Sequence, residues 1–69
     1  MRVLRDSASG VEIALSRDEL LLLNNALNEV CNGIHIEEPE FATRLGLDRS
    51  EALSLLSAVN RLLDRVSSN

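Results

Sequence analysis

The chain has no lysine, tryptophan or tyrosine, and only one phenylalanine, histidine, cysteine and proline among its 69 residues. With Phe41 as its single ring of that class, it has no platform on which bases could stack and no Tyr or Trp anchor of the kind that dominates interface hot spots. One cysteine forms no internal disulfide, so nothing calls for an oxidising compartment and a cytoplasmic location is expected. The longest apolar run, residues 20–23, is far short of a membrane span, and residues 1–6 lack the continuous apolar stretch of a signal peptide. A soluble protein that avoids membranes is therefore expected. General acids and bases are nearly confined to exposed carboxylates, and no nucleophile elbow or glycine-rich phosphate loop occurs. The expectation is a non-enzyme with no catalytic residue, no metal and no cofactor.

What the chain does have is leucine and acid. Hydrophobic residues make up 45% of it, and eleven Asp or Glu stand against seven Arg, a net charge of −4. The charge is uneven: residues 1–40 hold three Arg and eight acids, −5, whereas residues 41–69 hold four Arg and three acids, +1. An acidic balance disfavours general attraction to nucleic acid or anionic lipid and suits a basic protein partner. The length allows one domain, residues 1–69, with a small core made of leucine.

Residues 2–5 and 11–15 flank Asp6, Ser7, Ala8, Ser9 and Gly10, and Val11, Ile13 and Leu15 alternate with Glu12 and Ala14. That period of two predicts a β-hairpin over 2–15 with a five-residue turn. Two strands alone are marginal in water, so the hairpin is expected to pack on helices or to pair with a further strand. Ser16 and Glu19 form a capping box for a helix over 17–32, with Gly33 as its left-handed terminator. At about 100° per residue, Leu20, Leu23, Leu27, Val30 and Cys31 converge on one face, while Leu21 and Leu22 point to the flanks. Pro39 and neighbouring acids open a short helix over 39–45 that Gly46 ends. Asp48 and Glu51 box the start of a last helix, 49–66, along which Ala52, Leu56, Val59, Leu63 and Val66 form a seam with Leu55 and Leu62 beside it. The fold class expected is α+β: an N-terminal hairpin packed on two long helices, with a short helix between them.

Residues 41–57 resemble a helix-turn-helix, with Ala42, Leu45, Gly46, Leu47 and Ala52 in the positions of the close crossing, the turn and the flanking apolar contacts. In that reading Arg49, Ser50 and Ser54 would face the major groove and Arg44 a phosphate. Against it, Asp48 and Glu51 stand beside them and no basic patch surrounds them, so nucleic acid is disfavoured by charge. Asn24, Asn25, Asn28 and Asn32 share a polar stripe, read either as a recognition ladder or as side chains that tie down the following loop and cap helix ends. Cys31 and His35 are two soft or borderline ligands where a structural zinc needs four, so a buried thiol and a surface imidazole are expected instead. Glu37, Glu38 and Glu40 lack the spacing of a Ca²⁺ loop and read as solvated acids or a docking patch for a basic partner.

The stretch Leu23, Asn24, Asn25, Ala26, Leu27, Asn28, Glu29, Val30, Cys31, Asn32, Gly33, followed by Glu40, Phe41, Ala42, Thr43, Arg44, Leu45, Gly46 and then Glu51, Ala52, resembles a family of small uncharacterised bacterial proteins. Its pattern is Leu-Asn-Glu-Val, an Asn-Gly stop, then Glu-Phe-x-Thr-Arg-Leu-Gly before a final helix, over roughly residues 18–56. The resemblance implies a compact, bacterial, cytoplasmic protein and carries over no catalytic residue.

The leucines exceed what so short a chain can hide, and the surplus points to a protein-interaction module that forms a homodimer through apolar helix faces. The expected interface residues are Leu21, Leu22, Leu55, Val59, Leu62 and Val66. The alternative is a small helix-turn-helix regulator.

Overall fold

The structure, a computed structural model, describes residues 1–67. Strands β1 (Arg2–Ser7) and β2 (Gly10–Ala14) form an antiparallel hairpin, followed by α1 (Arg17–Asn28), α2 (Glu38–Leu45) and α3 (Arg49–Ser67). The class is α+β. Strand pairing runs out to Ser7 opposite Gly10, so the turn is the two residues Ala8 and Ser9 rather than five. The Ser7 hydroxyl closes it, within 3.1 Å of the Ser9 hydroxyl and donating to the Gly10 carbonyl at 3.4 Å. The register slips between Val3 and Arg5, which makes Leu4 the extra residue of a bulge.

The expected packing of the hairpin on the helices is not found. All of β1 is exposed, and in β2 only Ala14 is half-buried. The alternation of β2 is present, but Val3, Val11 and Ile13 remain 55%, 61% and 41% exposed. Chain direction explains this: the hairpin leaves α1 at its N-terminus, whereas the core gathers around the far end of that helix. Its link to the helices is the terminal ammonium of Met1, ion-paired with Glu19.

Helix α1 starts as its capping box dictates. The Glu19 amide donates to the Ser16 hydroxyl at 3.1 Å and the Ser16 amide to the Glu19 carboxylate at 2.9 Å. It does not continue as a regular helix to residue 32. From Glu29 to Gly33 it widens into a π-helical turn, closed by the Ile34 amide donating to the Glu29 carbonyl at 3.0 Å. Nor is Gly33 a left-handed cap, because Gly46 (φ 89°) is the sole glycine with positive φ. Gly33 matters for space: the Glu29 side chain lies where a Cβ would stand, 2.7 Å from it.

Helix α2 begins one residue earlier than expected, at Glu38, with Pro39 in its first turn, and Gly46 ends it through its amide donating to Ala42. Asp48 caps α3 by accepting the Glu51 amide at 2.9 Å and the Ser50 hydroxyl at 2.7 Å. The core is built on the one large ring. Phe41 is fully buried among Cys31, Ile36 and Ala52, with Val30 and Leu56 packed beside them. The residue of α2 that turns inward is therefore Phe41 and not Ala42, which is exposed.

Candidate interaction surface

Helices α1 and α3 lie side by side and antiparallel. Arg17 at the start of α1 donates to Ser67 at the end of α3 (3.2 Å), and Asn60 donates to Asn24 (3.3 Å). Between them, Leu20 is buried and Leu27, Leu56, Val59 and Leu63 are half-buried. The seam read from α3 is therefore real along Ala52, Leu56, Val59 and Leu63, while Val66 at its end is 42% exposed.

The two sides of this seam differ in chemistry. On one, Leu23, Ala26, Leu27 and Val30 from α1, Leu45 and Leu47 around the Gly46 turn, and Ala52 and Leu55 from α3 enclose a groove of about 300 Å³ with no charged lining residue. Leu62 and Val66 continue the same face of α3, since positions 55, 59, 62 and 66 recur at helical spacing. On the other side Asn24, Asn28, Leu53, Ser57, Asn60 and Arg61 line a polar depression. The asparagine stripe is thus partly internal: Asn24 and Asn28 accept from Asn60 and Asn32, while Asn25 accepts from Asn24 at 3.5 Å. Leu21, at 38% exposure, sits on the polar flank near Asn28 by helical angle, and Leu22, at 69%, points outward. Of the six residues expected at an interface, the structure gathers Leu55, Val59, Leu62 and Val66 on one face and sets Leu21 and Leu22 apart from it.

Of the residues suggested for DNA contact, Arg44, Ser50 and Ser54 are exposed and Arg49 is half-buried. Arg49 reaches inward: its guanidinium donates to the carbonyls of Cys31 (2.6 Å) and Ile36 (2.5 Å) and to Glu38 (2.7 Å), and lies 4.5 Å from the centre of the Phe41 ring. Its side chain is 23% exposed. Ser50 is bonded to Asp48, Arg44 pairs with Glu40 at 3.6 Å, and Ser54 is exposed. Two of the three acids suggested for a basic partner, Glu38 and Glu40, therefore already have arginine partners, while Glu37 is exposed. Cys31 is buried in the core and His35 is exposed; among the described residues no three potential metal ligands cluster.

Two carboxylates titrate below their ordinary range, and both take part in capping a helix N-terminus. The terminal ammonium, then the Ser16 amide, hold Glu19 at about 2. The Glu51 amide, then the Ser50 hydroxyl, lower Asp48. Their chemistry is that of anchored hydrogen-bond acceptors, not of acids poised near neutrality. Among the described residues no helix is long and apolar enough to cross a membrane. No family model, curated protein or solved structure matches the chain.

Proposed function

We propose that this chain is a non-enzymatic protein-interaction module of the cytoplasm that associates with itself, as a dimer, through its apolar helix faces. The observation that carries this reading is surface. A folded monomer of 7.6 kDa exposes about 4,300 Å² by the scaling of monomeric proteins, whereas this chain exposes 5,359 Å². The excess, roughly 1,000 Å², is close to the ~800 Å² that each partner contributes to a standard interface. The radius of gyration agrees: it is 13.5 Å, against about 11 Å for a compact chain of this length. Among the described residues fifteen large apolar side chains are exposed, thirteen of them at 41% or more. For the helix-turn-helix alternative no comparable observation speaks, since Arg49 is committed to the interior.

Sedimentation equilibrium tests the proposal. The expected result is a mass of twice 7.6 kDa at micromolar concentration. A folded species of 7.6 kDa that persists at high micromolar concentration overturns it.

A further inference from the structure

We infer that two copies meet face to face on the apolar side of the α1–α3 seam, antiparallel, about a two-fold axis at Val59, so that Val66 of each copy enters the other's groove over Ala52. This rests on the self-association proposed above and specifies its geometry.

Three observations lead to a second copy rather than another occupant. The first is self-complementarity. A two-fold contact requires one patch to hold both the hollow and the projection that fills it. Here the hollow lies over Ala52, buried and small, with Leu55 at 47% exposure as its wall, and the projections Leu62 and Val66 lie further along the same face at 48% and 42% exposure. Ala52 and Val66 are each seven residues from Val59, about 10.5 Å along the axis in opposite directions. Reversal about Val59 therefore superposes projection on hollow at both ends at once. Leu55 and Leu62, four and three residues from the axis, fall in stagger and interdigitate. The register is also the one that covers the helix, because Val59 is one residue from the middle of α3, Arg49–Ser67.

The second observation is charge. Two chains of −4 repel, and contact is favourable only where neither presents an unpaired charge. The groove lining contains none, in contrast to the opposite flank, which carries Arg61 and its asparagines. The third is area: the surplus of roughly 1,000 Å², to which the bare hairpin also contributes, is of the size of one partner's share of a standard interface.

The test combines a cross-link with a substitution. In Val59→Cys the two new thiols face each other across the axis, so mild oxidation yields a disulfide-linked species of twice 7.6 kDa; the wild-type chain, whose single thiol is buried, yields none. Leu62→Glu places a carboxylate in the contact and weakens association by about tenfold or more, as loss of a hot-spot side chain does. Circular dichroism checks that it folds, and if it does not, the cross-link decides. Leu4→Glu, on the exposed hairpin, leaves association within about twofold of wild type. If wild type dimerises while Val59→Cys does not cross-link and Leu62→Glu associates normally, this face is wrong and self-association stands. If Leu4→Glu is the variant that dissociates, the second copy docks on the hairpin and the inference falls. A monomeric wild type removes the parent reading as well.

Discussion

One side chain, Arg49, ties together the backbone around Phe41. The π-helical turn and the extended segment after it leave the Cys31 and Ile36 carbonyls without helical partners, and a single planar guanidinium reaches both while covering the ring. A buried acceptor left unpaired costs a large fraction of a small domain's stability. Arg49→Ala should therefore lower unfolding free energy by about 2–3 kcal/mol, measured by urea denaturation. Arg49→Lys should recover little of it, because a point charge cannot bridge two carbonyls and stack as well. A variant within experimental error of wild type would remove Arg49 from this role. Nothing in the local pattern marks the role, since the partners lie 13 and 18 residues away. Read locally, an arginine at the start of a helix after a glycine turn suggests an outward contact. Phe41 was legible as the only phenylalanine, tyrosine or tryptophan ring, but its place at the centre, in preference to fourteen leucines, depends on where the turns bring Cys31 and Ile36.

Among the elements, α1 owes its start to chemistry that sequence spacing makes visible. Ser16 and Glu19 satisfy each other's amides, and Ser16→Ala should cost about 1 kcal/mol in unfolding free energy. Glu19 adds a pH dependence. Its carboxyl titrates near 2 when folded against an ordinary 4.5, so its contribution is complete above pH 4.5 and is lost as pH falls through about 2. Asp48 at the start of α3 is also lowered below 3.8 and acts in the same direction. Thermal melts between pH 5 and pH 2 should show the melting temperature dropping less steeply in Glu19→Gln than in wild type; parallel curves would contradict the assignment. The far end of α1 was not legible. Asn32 and Gly33 read as an ordinary stop, but Glu29 folds its carboxylate over Gly33 and the backbone widens instead of terminating. In Gly33→Ala the Glu29 carboxyl must swing away, a flexible side chain yielding with little cost, so the loss should stay below about 1 kcal/mol.

The molecule measures 36 × 32 × 16 Å, a slab with a core of five buried apolar residues among those described. Its stability is unevenly distributed, and hydrogen exchange should separate the two regions. Amides of Arg2–Ser7 and Gly10–Ala14 should exchange at close to the rates of an open peptide, while those near Phe41 persist longest. Equal protection in both regions would show that something covers the hairpin. Composition announced that such a chain is overfilled with apolar residues but not which surface carries the excess, because that depends on α2 and α3 closing around Phe41 while the hairpin extends from the opposite end. Left uncovered, a β-ribbon is a template for adding strands one after another, the route to fibres. The extra residue at Leu4 bends β1 and breaks the regular row of amides and carbonyls along its outer edge, and on β2 a second copy aligned about its centre would set Glu12 against Glu12. The same chain can thus keep a bare ribbon in water without that ribbon being a ready template for polymerisation, and the self-association proposed above would then fall to its helices.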